Sequence, residues 1–260
     1  MFGKFLRGLG LRRTAGRPVA VTQPVAEFPP LRGESDLAVV GDIHGMIRPF
    51  DQLLARIEAE VPEAGVVCVG DLIDRGDDSA GVLRLAFERR DRMIVLLGNH
   101  EEMMLGFLDD PVAEAGRWLR NGGLQTLASF AIQPPASAAG PSEVEAVRDR
   151  LRAAIGPAIE GWLRSLPRFY LNGNLVVSHA GADPWLPISQ QSDRNLTWGH
   201  PDFGRRRRTD GLWVAHGHVI VDQPKAAGGV ISVDTGAYAG GGLTCAVICA
   251  ETVRFLTEAA

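Results

Sequence analysis

The sequence predicts an α/β protein whose first strands run parallel. Short apolar runs recur along the 260-residue chain, each bounded by glycine or a polar residue. The runs are continuous rather than alternating, as expected of strands covered on both faces. The segments between the first three runs carry helical periodicity, giving strand–helix–strand–helix–strand. Polar residues gather just after the runs, where an α/β sheet presents its ligand-binding edge.

The elements follow in chain order. Leu37–Val40 is the first apolar run. A helix follows, with Pro49 in its first turn and Phe50, Leu53, Leu54, Ile57 and Val61 at helical spacing. Val66–Val69 is the second strand, Ser79 to Arg90 the second helix, and Met93–Leu97 the third strand. Residues 102–170 change character and read as a helical insertion. Met103, Met104, Phe107 and Leu108 suggest one helix, "RWLRNGGLQTL" is broken at Gly122-Gly123, residues 133–141 are loop, and Glu143 to Leu163 suggests a long helix. Residues 175–177, 212–215, 230–233 and 243–249 supply further strands joined by tight turns.

Composition narrows the function. With 45% hydrophobic and 22% charged residues the chain is of ordinary globular type, and a net charge of −4 gives no global basic field, so no nucleic-acid partner is expected. No apolar run approaches the roughly 20 residues of a membrane helix. Cys68, Cys245 and Cys249 lie in apolar runs and read as buried thiols of a reducing, cytoplasmic setting. Residues 1–35 read as a mobile basic arm leading into a proline-rich linker, and residues 36–260 as one domain. Residues 1–13 offer a weak amphipathic face for a membrane surface, which Gly3, Gly8 and Gly10 oppose.

The chemistry sits at the ends of the runs. "GDIHG" places Asp42 and His44 after the first, "GDLIDRG" places Asp71, Asp74 and Arg75 after the second, and "GNHE" places Asn99, His100 and Glu101 after the third. "SHAG" and "HGH" then add His179, His216 and His218. One such group would be a turn or a satisfied core histidine. Five in order at strand ends imply a shared crevice. The donors are oxygen and nitrogen without cysteine, which suits manganese, iron or zinc, and their number suits two ions sharing a carboxylate, an arrangement used for displacement at phosphorus.

These motifs, with "WLRNGGLQTLASF", "LPISQQSDRNLTW" and "VDTGAYAGGGLT", resemble the calcineurin-like metallophosphoesterases over residues ~36–250. The forms DRG and GNHE are closest to the bacterial branch of phosphoprotein phosphatases. The resemblance implies two mixed β-sheets in a sandwich flanked by helices. It implies that Asp42, His44 and bridging Asp71 hold one divalent ion, with manganese first in expectation, and that Asp71, Asn99, His179 and His218 hold a second. Arg75 and Asn99 would bind the substrate phosphate, and His100 would protonate the leaving oxygen. Asp74 would favour the protonated imidazole, and a metal-bridging hydroxide would attack. Glu101 would orient its surroundings. The implied activity is that of a serine/threonine protein phosphatase, with hydrolysis of dinucleoside polyphosphates or another small phosphoester as the alternative and a non-catalytic phosphate-binding scaffold as a remote one. His200 stands where the family commonly has a second phosphate-binding arginine. His200 itself, or one of Arg205–Arg208, is therefore expected to supply that contact, unless the arginine run is simply a solvated loop.

Overall fold

The computed structural model describes residues 28–260. The basic arm and its proposed membrane face lie outside them. Among the described residues, ten strands form two five-stranded sheets. In the first sheet β1 (Leu37–Val40), β2 (Gly65–Cys68) and β3 (Met93–Val95) run parallel. β9 (Gly242–Cys249) pairs antiparallel with β1, and β10 (Thr252–Ala259) with β9. The second sheet has the order β4 (Phe169–Asn172), β5 (Leu175–Ser178), β6 (Trp213–His216), β8 (Val230–Ser232), β7 (Lys225–Ala227), with β5, β6 and β8 parallel.

Alternate residues of β1 and β9 serve different cores, which is why those runs are continuously apolar. Leu37 and Val39 join Val67, Val69, Leu175, Val177, Trp213 and Ile231 in one cluster containing residues of both sheets. Ala38, Val40 and Cys68 join Phe50, Leu53, Leu83 and Phe107 in a second, on the helix side. That side carries α1 (Ile47–Glu60) and α2 (Ser79–Glu88), whose apolar stripes follow the expected spacing.

The insertion between β3 and β4 consists of α3 (Asn99–Asp109), α4 (Pro111–Trp118), a wide turn at Leu119–Gly123, α5 (Leu124–Ser129) and α6 (Pro141–Arg164). α6 departs from the continuous helix expected. Gly156 leaves helical geometry (φ 78°, ψ 157°) ahead of Pro157, which lacks an N–H and disfavours helix in the residue before it. α7 (Asp193–Trp198) follows β5.

The linker reading is corrected over residues 28–35. Phe28 and Leu31 are buried, Phe28 packs edge-on against Trp213 at 5.4 Å, and Pro29 O accepts the Trp213 indole N–H at 2.8 Å. Asn172 and Asn174 hold the backbone at Glu34 and Arg32. Two aromatic or aliphatic anchors suffice to dock a segment whose prolines suggested only a spacer.

Candidate metal centre

The carboxyl ends of β1, β2, β3, β5 and β6 converge, as their polar endings predict. Asp71 lies in the middle. Its Oδ2 is 3.6 Å from His44 Nε2 and 3.9 Å from His100 Nε2, and its Oδ1 is 3.5 Å from His179 Nε2. Two donor groups result, His44–Asp71–His100 and Asp71–His179–His218, each with ligand atoms within 4.8 Å of one another. Asn99 closes the second, its Oδ1 standing 2.8 Å from both His179 Nε2 and His218 Nδ1.

The loops are held in backbone conformations that few side chains adopt. His44, Asp71, Asp74, Arg75 and His218 all have φ between 46° and 70°. Strain gathered on five residues of one crevice marks a functional site. It is sustained by the Glu101 carboxylate, fully buried, which accepts the backbone N–H groups of Asp71, Leu72, Ile73 and Gly98 at 2.8–3.3 Å. The orienting role expected of Glu101 is this clamp.

The donor chemistry fits divalent cations. His44 Nδ1 and His179 Nδ1 donate to the carbonyls of Ile73 and Val69, turning each Nε2 lone pair inward. The His179 lone pair thereby faces the Asn99 carbonyl oxygen, two acceptors that a cation reconciles. Burial holds the His44 and His179 imidazoles well below their ordinary pKa, in the neutral form that binds metal. Burial, and repulsion among Asp42, Asp71, Glu101 and Asp234, hold the Asp42 and Asp71 carboxyls well above theirs. Cations would relieve that repulsion.

The remaining predicted residues fall around this centre. Asp42 lies outside both donor groups, and both its oxygens accept the His218 backbone N–H at 3.1 Å. Arg75 Nη1 donates to His44 Nε2 at 3.1 Å, and its guanidinium lies 4.7 Å from the Tyr238 ring centroid. His100 Nδ1 meets Asp74 Oδ2 at 2.7 Å. Asp74 also accepts from Trp118 Nε1 at 3.1 Å and Thr126 Oγ1 at 2.6 Å. Asp74 was expected to favour the imidazolium; burial opposes this, pushing the Asp74 carboxyl up to about 8 and His100 down to about 3.

His200 is not brought into either donor group. Its Nε2 faces Asp183 at 3.7 Å, and its Nδ1 accepts the Asp202 backbone N–H. Nor is the arginine run a uniform solvated loop: Arg208 is buried, pairs with Asp210, and donates to the carbonyls of Asp183 and Leu186. Its guanidinium is therefore committed to the loop.

Sequence reasoning missed Asp234, Trp118, Thr126 and Tyr238. Asp234 could have been found by the same rule as the rest, since it directly follows the run 230–233. The others sit inside quoted motifs, but nothing local assigns them to the crevice.

The chain belongs to the calcineurin-like phosphoesterase family, whose sequence model matches residues 36–222. It is 27% identical over 233 residues to an asymmetrical bis(5'-nucleosyl)-tetraphosphatase of Geobacillus thermodenitrificans, covering 79% of this chain and 87% of that one. It is 32% identical over 151 residues to a symmetrical bis(5'-nucleosyl)-tetraphosphatase of Nitrosospira multiformis, covering 58% of this chain and 45% of that one. The chain thus spans less than half the length of that symmetrical relative. A 41% match to serine/threonine-protein phosphatase 1 of Salmonella typhimurium extends over 85 residues, 33% of this chain and 38% of that one. In fold it resembles a serine/threonine phosphatase of Saccharomyces cerevisiae (TM-score 0.54, 18% identity, 88% of this chain and 81% of that one), which carries the same sandwich. The chain is a hydrolase by family.

Proposed function

We propose that the protein hydrolyses dinucleoside polyphosphates at a two-metal centre. The observation that carries the two-metal reading is Asp71, whose two oxygens face separate histidine groups. His44 and Asp71, with Asp42, are assigned to one ion; Asp71, Asn99, His179 and His218 to the other. When bound, the ions supply Lewis acidity toward a phosphoryl oxygen and lower the pKa of water. The chain's own groups do the rest. Arg75 offers a fork matched to two phosphate oxygens, steadied by Tyr238. His100, its imidazole aimed by Asp74, is assigned to protonate the leaving oxygen; it is neutral in the free crevice and takes up that proton as the phosphate dianion binds. Manganese fits the oxygen and nitrogen donors, and the buried thiols Cys68 and Cys245 fit a cytoplasmic setting.

The motifs by themselves rank a phosphoprotein substrate first. The extent of the matches favours the nucleotide, because the asymmetrical tetraphosphatase corresponds along most of both chains and the protein phosphatase only over a third of this one. The serine/threonine phosphatase reading is retained because of the DRG and GNHE forms. A turnover screen on manganese-loaded protein with diadenosine tetraphosphate, phosphoserine and phosphothreonine peptides and an aryl phosphate tests both. Efficient cleavage of the tetraphosphate supports the first reading; turnover confined to phosphopeptides reverses the order, and no turnover of any substrate removes both.

A further inference from the structure

On the His218 side of the metal centre lies a cleft of about 580 Å³ that no catalytic role uses. Its charged walls are Arg205, Arg206, Arg207 and Lys225, and no acidic residue among the described residues lines it. The acids flanking the arginine run are engaged elsewhere, Asp202 accepting the Trp185 indole N–H and Asp210 pairing with Arg208, and Asp222, beside Val221, does not line the cleft. Among the described residues the side chains of Arg205, Arg206 and Lys225 have no hydrogen-bond or ion-pair partner, and all three are exposed. The three cations Arg205, Arg206 and Lys225, facing one space, repel each other unless an anion enters it.

The cleft is joined to the centre at two points. His216 and Val219, which bracket the ligand His218, both line it. Phe203, another wall, packs its ring onto His216 at 4.8 Å and onto Gly181, two residues beyond the ligand His179, where any side chain would collide with that ring. Phe203, Val219, Val221 and Val230 make the rest of the lining apolar, so the cleft offers both cations and a surface for a flat apolar body.

We propose that this cleft is a substrate subsite that takes the distal phosphates and nucleoside of a polyphosphate whose scissile phosphoryl group lies at the metal centre. The inference rests on the nucleotide reading above for its choice of ligand. A polyphosphate chain repeats its negative charge at short intervals and ends in an aromatic base, which matches a basic rim over an apolar floor.

The test is a triple variant, Arg205→Gln/Arg206→Gln/Lys225→Gln, in manganese-loaded protein. Calorimetric titration with adenosine 5'-tetraphosphate and with inorganic tripolyphosphate is expected to show affinity lower by roughly 5- to 20-fold, the scale of a few exposed charge contacts, with a weaker salt dependence than the wild type. KM for diadenosine tetraphosphate should rise by a similar factor, while kcat/KM for an aryl phosphate and the melting temperature stay unchanged. Unchanged binding of both polyphosphates overturns the subsite, whatever the turnover. Loss of affinity for an acidic phosphopeptide but not for the polyphosphates also overturns it, in favour of a peptide groove. Weakened polyphosphate binding in a protein whose wild type does not cleave diadenosine tetraphosphate keeps the subsite and removes the nucleotide reading of the activity.

Discussion

Thr126→Val isolates the support of the His100–Asp74 pair. Thr126 is wholly buried on α5. Its hydroxyl donates to Asp74 Oδ1 at 2.6 Å, accepts the Asp74 backbone N–H at 3.0 Å and lies 3.1 Å from Ser79 Oγ. Valine keeps the shape and removes the hydroxyl. The buried carboxylate then loses a charge-assisted hydrogen bond, about 1.5–3 kcal/mol. The backbone N–H is not orphaned, because Ser79 Oγ also accepts it at 3.0 Å. One extra buried methyl returns about 0.8 kcal/mol. The net loss is about 1–2 kcal/mol, or a fall in Tm of about 2–8 °C for a domain of this size. The hydroxyl is one of the contacts that lower the Asp74 carboxyl against burial. Its loss moves the Asp74 pKa further upward. The acid limb of kcat/KM should shift upward with it, and kcat for a poor leaving group should fall about tenfold with metal content intact, the scale of about 1.4 kcal/mol. Thr126→Ser should restore both. The assay is a pH profile with an alkyl and an aryl phosphate alongside thermal melting. A folded Thr126→Val protein with an unshifted acid limb and equal losses on both substrates would refute the reasoning.

Four other outcomes follow from the same geometry. Asp71→Asn weakens both donor groups, so metal analysis should fall from about two ions per chain to below one and turnover should nearly vanish; full metal retention would remove the bridging role. His100→Asn should cut turnover by roughly 10²–10⁴ for poor leaving groups and much less for aryl phosphates, with metal content unchanged; loss of an ion would instead make His100 a ligand, as its place beside His44 and Asp71 allows. Gly122→Ala puts a Cβ 2.7 Å from the Arg75 backbone nitrogen at φ 113°, so Arg75 must move, and kcat/KM should drop about tenfold with the fold retained by circular dichroism; unchanged kinetics would show that Arg75 tolerates the shift. His216 is held neutral, its pKa pushed down to about 4 by burial. The unfolded chain takes up this proton below about 6.5, so His216 erodes stability as pH falls from 6.5 toward 4, by up to about 3 kcal/mol. The wild type should therefore lose more stability over that window than His216→Asn, measured by denaturant unfolding, and parallel curves would contradict this.

The candidate metal ligands were legible because each follows an apolar run by two to four residues, and a strand that ends at a buried edge can carry such groups only if they share a crevice. Asp71 and His179 could be named without knowing that the sheets face each other. The ring around them was not legible. Trp118 and Thr126 reach Asp74 across 44 and 52 residues, and Tyr238 meets Arg75 across a still longer stretch. No spacing rule connects residues on an inserted helix pair to a strand-end loop. His200 was placed by motif register alone, and the loop instead turns it toward Asp183.

The sequence by itself determined the α/β class, the parallel pairing of β1 to β3, the apolar faces of α1 and α2, and the donor chemistry of the centre. These are matters of local periodicity and residue type, which a chain displays without its partners. Only the tertiary structure decided that β4 and β7 border the second sheet, that β10 closes the first beside β9, and that residues 28–35 dock on Trp213. It alone decided that an insertion of helices would buttress the His100–Asp74 pair, and that four exposed cations would share a cleft beside His218. Edge strands are short or half-exposed and carry a weak pattern, and contacts between distant segments are chosen by the packing of whole faces. That choice is a property of the assembled core and is written in no single stretch of the chain.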